Sequence, residues 1–128
     1  MKNIYFLLLM LVVTAGYGQS IVGKWYEDGQ EGTITFTEDK RIILDMPQQA
    51  VMPPTVQLTY VVNYEVTPMA YDMIISDGQF TQTALGIIEF VDETTLRMYM
   101  PANSGQRPTS FPDKKKPEYK KISILKRL

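Results

Sequence analysis

The sequence predicts an all-β protein, an antiparallel up-and-down barrel of about eight strands. The first reason is hydrophobic alternation with a period of two residues, which places apolar side chains on one face of a strand and which no helix shows. The second is a set of turn signals between the alternating runs, such as Asp28-Gly29 and Asp77-Gly78. The third is that no run outside the N-terminal leader combines a helical period with helix caps.

Eight runs carry the strand pattern, in the order 20–27, 33–37, 41–46, 56–66, 71–75, 80–91, 95–100 and 119–126. Every even position of the fourth run is apolar, and for a strand of that length we expect a bend or bulge near Val61 and Val62. Gly86 in the sixth run indicates a kink or a close approach of another backbone. Because unpaired edges invite aggregation, we expect 21–27 to pair antiparallel with 119–126 and close the barrel.

The N-terminal leader is typical of a secretory signal peptide spanning residues 1–18. Lys2 supplies a positive start, residues 4–13 form an apolar run, and Gly16 and Gly18 are small residues suited to cleavage. The apolar run is too short to span a bilayer. We therefore expect export to the periplasm or the medium, and a single barrel domain over 19–128 that is stabilised by packing, since the chain has no cysteine.

The residue types disfavour catalysis. The chain has neither histidine nor cysteine, which removes the commonest general base, the commonest transition-metal ligands and thiol chemistry. Candidate carboxylates such as Glu65, Asp72, Asp77 and Glu89 occur singly along the runs, without the pairing that acid–base catalysis needs. The sequence therefore predicts no enzyme, no metal site and no cofactor, and the net negative charge argues against nucleic-acid binding.

Charge is unevenly distributed along the chain. Residues 42–96 contain seven acidic residues and no Lys or Arg, whereas residues 97–128 contain nine basic residues and two acidic ones. A basic C-terminal part indicates either an acidic partner or simply a solvated loop.

The apolar faces of the strands are the candidate ligand site. Large or adaptable side chains recur on them, and methionine lines variable cavities well. The predicted interior ligand-binding residues are Leu58, Tyr60, Tyr64, Met73 and Met98. Barrels of this size either fill themselves or hold one small ligand, so a packed core and an open apolar cavity both remain possible from composition.

Two proline-rich loops, 47–54 and 101–118, interrupt the strand pattern. In the second loop, Arg107 and Phe111 are candidate ligand-binding residues, with Phe111 plugging the barrel opening and Arg107 binding an anionic group. The plainer alternative is that Arg107 donates hydrogen bonds to loop carbonyls and Phe111 fills the core.

Four motifs of the second half stand out: Gly86 to Phe90, Glu93-Thr94-Thr95-Leu96, Arg107-Pro108-Thr109-Ser110-Phe111 and Leu125-Lys126-Arg127. In this order, and together with Gly23 and Trp25, they resemble the pattern of small exported bacterial lipocalin-like domains of the planctomycete type, within the calycin barrels. Residues 41–82 match no part of the pattern, and Ile88 replaces an aromatic residue. The resemblance implies the barrel fold and leaves the ligand open.

The resemblance also implies a structural clasp made of Gly23, Trp25 and Arg127. In lipocalin-like barrels a basic residue of the last strand lies over the tryptophan of the first. We expect Arg127 to do so here, because a guanidinium stacks on indole better than an ammonium; Lys126 is the alternative.

Two functions are therefore expected of the chain. The first is an exported lipocalin-like protein that binds a small apolar or amphipathic ligand inside the barrel. The alternative is a protein-interaction module, such as an inhibitor of an envelope enzyme, that acts through loops 47–54 and 101–118. An interior pocket favours the first, and an apolar patch around the loops favours the second.

Overall fold

The computed structural model describes residues 19–46, 53–101 and 105–128. Within them the chain forms strands β1 (Gly23–Glu27), β2 (Thr33–Phe36), β3 (Ile42–Asp45), β4 (Gln57–Asn63), β5 (Met69–Ser76), β6 (Thr81–Asp92), β7 (Thr95–Tyr99) and β8 (Ser123–Arg127). One 3-10 helix, Pro117–Lys121, precedes β8. The predicted signal peptide 1–18, and residues 47–52 of the predicted loop 47–54, lie outside the described residues.

All eight strands belong to one antiparallel sheet, in the order β3-β2-β1-β8-β7-β6-β5-β4. Strands that follow one another in sequence pair in the sheet, except for β3 and β4, and β8 also returns to pair with β1. In that pairing Trp25 lies opposite Arg127 and Tyr26 opposite Lys126. The predicted all-β up-and-down barrel and the predicted pairing of its two termini are therefore confirmed.

The barrel is nearly, not fully, closed, because β3 and β4 are the two edges of the sheet. Among the described residues, one isolated bridge connects these edges: Arg41, which precedes β3, lies opposite Thr59 of β4. Beside it the Tyr60 N–H donates to the carbonyl of Lys40 (2.9 Å), and the Tyr60 hydroxyl donates to the carbonyl of Thr37 (2.6 Å). Tyr60 of β4 therefore bonds across this seam to the turn before β3, through both its backbone N–H and its side-chain hydroxyl.

The core lies inside the barrel and contains several aromatic rings. Phe36 packs edge-to-face on Tyr60 (5.1 Å between ring centres) and on Tyr71 (6.1 Å). Each large side chain buried in this way contributes about 1.5–3 kcal/mol relative to exposure. The buried core residues are Ile21, Trp25, Phe36, Ile42, Leu58, Tyr60, Tyr71, Ile88, Leu96, Met98 and Leu125.

Two strand predictions were wrong at their ends. The run 56–66 is a strand only as far as Asn63, whose side-chain oxygen accepts the N–H of Glu65 and turns the chain. The shorter strand keeps one register along β5, so no bulge interrupts β4 near Val61 and Val62. The register shift lies instead between Phe90 and Asp92 of β6.

The run 119–126 is a strand only from Ser123. Ahead of it, Pro117 begins a 3-10 helix, and the N–H of Ile122 donates to the carbonyl of Tyr119 (3.3 Å). Proline suits the first turn of a helix because its missing N–H has no partner there. The residues around Tyr119 alternate as in a strand, but Pro117 starts a 3-10 helix there instead.

Gly86 fulfils the expectation of a close approach. A Cβ at this position would lie 2.8 Å from the carbonyl oxygen of Tyr99 and would also meet the side chain of Met100. Only glycine allows the chain leaving β7 to pass so close to β6.

Candidate functional site

One end of the barrel, here called the closed end, is filled around Trp25. This is the end where odd-numbered strands start and even-numbered strands finish. Trp25 is fully buried and its indole N–H donates to the carbonyl of Ile21 (2.8 Å), which is itself fully buried. A buried indole N–H needs such a partner, and the bond fixes the chain that precedes β1 over this end.

Arg127 covers the Trp25 ring, with the guanidinium carbon 4.2 Å from the ring centre. The guanidinium also donates to the carbonyls of Ser20 (2.7 Å), Val22 (2.9 Å) and Glu93 (3.3 Å). Gly23, with φ of 138°, leaves the necessary room, because a Cβ there would lie 2.8 Å from Arg127 Nη1. The three residues of the predicted clasp are thus in mutual contact.

Tyr64 lies at this closed end and not in the interior. It follows the end of β4, is 40% exposed, and its hydroxyl accepts the N–H of Ile21 (3.2 Å). Its prediction as an inward-pointing lining residue was wrong, because β4 stops at Asn63 and the alternation does not continue through the turn.

The opposite end, here called the barrel mouth, is where odd-numbered strands finish and even-numbered strands start. Inner-face apolar side chains near this end are only half-buried, although they pack on the core. They are Ile34, Leu44, Met73, Ile75 and Met100. Half-buried apolar side chains therefore line the mouth; Val62, Met69 and Phe90 are half-buried near the closed end as well, although Trp25 and Ile21 there are fully buried.

Four of the predicted ligand-binding residues lie on the inner face. Leu58 and Met98 are 8% and 7% exposed, Tyr60 is 2% exposed, and Met73 is half-buried. Tyr60 belongs to the core rather than to the mouth, because it is buried and its hydroxyl donates a hydrogen bond to the carbonyl of Thr37. Leu58, Met73 and Met98 lie where the packed core meets the mouth.

Polar side chains also share the inner face near the mouth. Glu27 pairs with Leu125 across β1 and β8, and Ser123 pairs with Met98 across β8 and β7; both are half-buried. Side chains of directly opposed residues lie on the same face of a sheet. The rim therefore offers a carboxylate and a hydroxyl beside apolar surface, an arrangement suited to an amphipathic molecule.

The deeper phenols remain neutral. Burial raises the pKa of Tyr71, which is 1% exposed, and burial also raises the pKa of Tyr60, with the nearby Tyr64 adding to the effect. Within the described part of the chain, no group of three or more Asp or Glu side chains is placed to hold a metal ion.

Arg107 lies on the outside of the barrel. Its Nη1 donates to the carbonyls of Tyr71 (3.1 Å) and Gly86 (2.9 Å), and its Nη2 pairs with Asp72 (2.5 Å). The guanidinium that was predicted to bind an anionic group is therefore occupied by Asp72 and two strand carbonyls. The carbonyls come from β5 and β6 and not, as the plainer alternative held, from the loop.

Phe111 also lies on the outer face. Its ring is 6.5 Å from that of Tyr99, and the Arg97 guanidinium lies 4.1 Å from the Phe111 ring centre. Both expectations for Phe111, a plug in the opening and a core residue, were wrong. The reason is that Ile87 and Tyr99 are apolar on the outer face of β6 and β7, and the loop folds over them.

Between β7 and residues 108–119 lies an open groove of about 1090 Å³, here called the outer groove. Arg97 and Tyr99 of β7 line one side, and Phe111, Lys114, Lys116 and Tyr119 line the other. Sequence reasoning missed Arg97, Tyr99 and Tyr119. The available signal was a tyrosine on the polar face of β7 followed at once by a long proline-rich loop.

Comparison with protein-family models, with curated proteins and with solved structures gives no match to this chain. The eight-stranded near-barrel is compatible with a lipocalin-like fold. In the described ranges, no helix has the length and apolar character needed to cross a membrane.

Proposed function

We propose that this protein is an exported, non-catalytic lipocalin-like binding protein that holds a small apolar or amphipathic molecule at the barrel mouth. The observation that carries the proposal is the set of apolar inner side chains, such as Leu44 and Ile75, that remain half-buried at the mouth. Trp25 and Ile21 fill the centre of the other end. Accessible apolar surface inside a concave site is what a ligand of this class covers.

The composition of the mouth supports the proposed ligand class. Met73 and Met100 are flexible and polarisable, so they adapt to molecules of different shape. Glu27 and Ser123 give a polar group of the ligand a hydrogen-bonding partner at the rim. Export is supported by the leader 1–18, and a non-catalytic role by the lack of histidine and cysteine.

The test uses two adjacent residues of β6 that face opposite ways. Ala84 pairs with Met73 on the inner face, and Thr83 pairs with Ile74 on the outer face. The variant Ala84→Phe puts a ring into the interior, and the matched control Thr83→Phe puts the same ring outside. Binding of N-phenyl-1-naphthylamine, an apolar probe that fluoresces when it leaves water, is measured for each protein together with the melting temperature.

If the mouth opens into a ligand cavity, the wild-type protein binds the probe and Ala84→Phe weakens binding about tenfold or more. Thr83→Phe keeps wild-type affinity, and both variants keep their melting temperatures within a few degrees. If the interior is packed, the wild-type protein shows no probe binding and Ala84→Phe costs about 1–3 kcal/mol by overpacking. The second result would reject the proposal.

The outer groove favours a second candidate, a protein-interaction module acting through the loop 101–118. Of the two loops expected to serve that function, the structure describes residues 53–54, 101 and 105–118. Only the second loop therefore supplies a described surface on which a partner can be argued.

A further inference from the structure

We propose that the outer groove is a docking site for an acidic, extended peptide segment of another protein. The proposal does not depend on a ligand in the barrel mouth, because the groove lies on the opposite face of the sheet. It rests on three features of the groove: its charge, its mixed lining and its prearranged wall.

The groove lining has a small excess of positive charge in a protein whose residues 19–101 contain four basic and twelve acidic side chains. The lining cations are Arg97, Lys114 and Lys116, and the lining carboxylates are Asp113 and Glu118. Lys114 and Lys116 of the wall line the groove and are exposed, so their charges face any molecule that enters. Charge complementarity therefore favours an acidic occupant.

Arg97 adds a positioned cation on the other side. Its Nη2 donates to Glu89 (3.0 Å) and its guanidinium packs on the Phe111 ring. Its Nε is buried and has no hydrogen-bond partner among the described residues. A buried Nε cannot reach a molecule in the groove, so a carboxylate would meet only the exposed part of this side chain, which is 27% exposed and held in place by Glu89 and Phe111.

The mixed lining selects a peptide over a uniform polyanion. Tyr99, Phe111 and Tyr119 present rings, and Asp113 and Glu118 present carboxylates between the lysines. The carboxylates repel an unbroken chain of phosphates or sulfates. The aromatic rings do not bind such a chain either, because it has no apolar groups to pack on them. In a peptide that alternates acidic with apolar or aromatic side chains, the acidic groups pair with the lysines and the apolar groups pack on the rings.

The groove wall is built before binding. The N–H of Lys116 donates to the carbonyl of Asp113 (2.9 Å), and the N–H of Tyr119 donates to the carbonyl of Lys116 (3.1 Å), so turns follow one another along the wall. At the near end of the loop, Arg107 is anchored on β5 and β6. A preformed site loses little conformational entropy on binding.

The test begins with selection of a phage-displayed library of random linear peptides on the purified protein. The expected peptides are enriched in Asp and Glu next to aromatic or aliphatic residues. One such peptide is then titrated by fluorescence anisotropy against two double variants that remove equal charge. Lys114→Ala with Lys116→Ala alters the groove, and Lys120→Ala with Lys121→Ala alters exposed lysines at the end of the adjacent 3-10 helix, outside the groove.

The groove variant should weaken peptide binding about tenfold and the control by less than about twofold. Tyr119→Ser, which removes an exposed ring of the groove, should also weaken binding. Equal losses in both double variants, or selected peptides without acidic enrichment, would reject the proposal. So would groove-dependent binding of heparin without peptide binding, or dimerisation that only the groove variant abolishes, because those results would identify a polyanion or a second copy as the occupant.

Discussion

Arg127 and Trp25 join the last strand of the barrel to the first, with the guanidinium carbon 4.2 Å from the indole ring centre. The two residues are also directly opposed in the β1–β8 pairing. Backbone pairing and side-chain stacking therefore join the two strands at the same position. The contact lies in the middle of the sheet, where the first and last strands of the domain meet.

The first prediction tests this clasp. Trp25→Ala should lower the free energy of unfolding by about 3–5 kcal/mol, because it leaves a cavity in a core without disulfides. Arg127→Ala should cost about 1–2 kcal/mol through loss of the stacking and of its bonds to three carbonyls. Chemical denaturation monitored by circular dichroism measures both losses.

Lys126→Ala is the matched control for the clasp. Lys126 precedes Arg127 and makes an ion pair with Asp28 (3.0 Å), in which both side chains are largely exposed. Its removal should have a smaller effect than that of Arg127. A Trp25→Ala variant with wild-type stability but lost probe or peptide affinity would make Trp25 a functional residue and contradict the structural role.

The second prediction concerns Arg107 as the anchor of the outer groove. Arg107→Ala removes one ion pair and two bonds to strand carbonyls, so the backbone amides of Lys116, Tyr119 and Ile122 should exchange with solvent about tenfold faster. Arg107→Lys should recover only part of the protection, because an ammonium cannot reproduce the planar fork of donors. Hydrogen exchange followed by mass spectrometry provides the measurement, and unchanged exchange in both variants would show that the loop is held by other contacts.

The third prediction concerns alkaline pH. Burial raises the pKa of Tyr71 in the folded protein above its value in the unfolded chain. The folded state therefore binds the phenolic proton more tightly, and the resulting stability is complete below about pH 10 and is lost as the pH rises further. One such group gives a slope of up to about 1.4 kcal/mol per pH unit.

Tyr71→Phe removes that titration. Near neutral pH, the unfolding free energies of the wild type and the variant should change in the same way with pH. Above about pH 10, the unfolding free energy of the wild type should decrease more steeply. Tyr60→Phe should reduce the alkaline slope as well, because the pKa of Tyr60 is also raised by burial, and it should in addition cost about 0.5–1.5 kcal/mol at all pH values through loss of the bond to Thr37. Identical alkaline slopes in all three proteins would contradict the prediction.

The sequence by itself determined the strands and their inward faces. Alternation with a period of two is a local property, so Leu58, Tyr60 and Met98 could be placed inside from their neighbours alone. The β1–β8 pairing followed from the need to protect two edges, and the close approach at Gly86 from the lack of a side chain there.

The tertiary structure alone decided where the irregular segments lie. Arg107 is anchored on Tyr71, Asp72 and Gly86, each more than twenty residues away in the chain, and no local pattern identifies such partners. Tyr64 shares the parity of Tyr60 but reaches Ile21 over the closed end, because a turn after Asn63 breaks the alternation. Strand faces follow from short-range sterics, whereas the course of a proline-rich loop depends on which distant donors, acceptors and apolar surfaces the folded barrel presents to it.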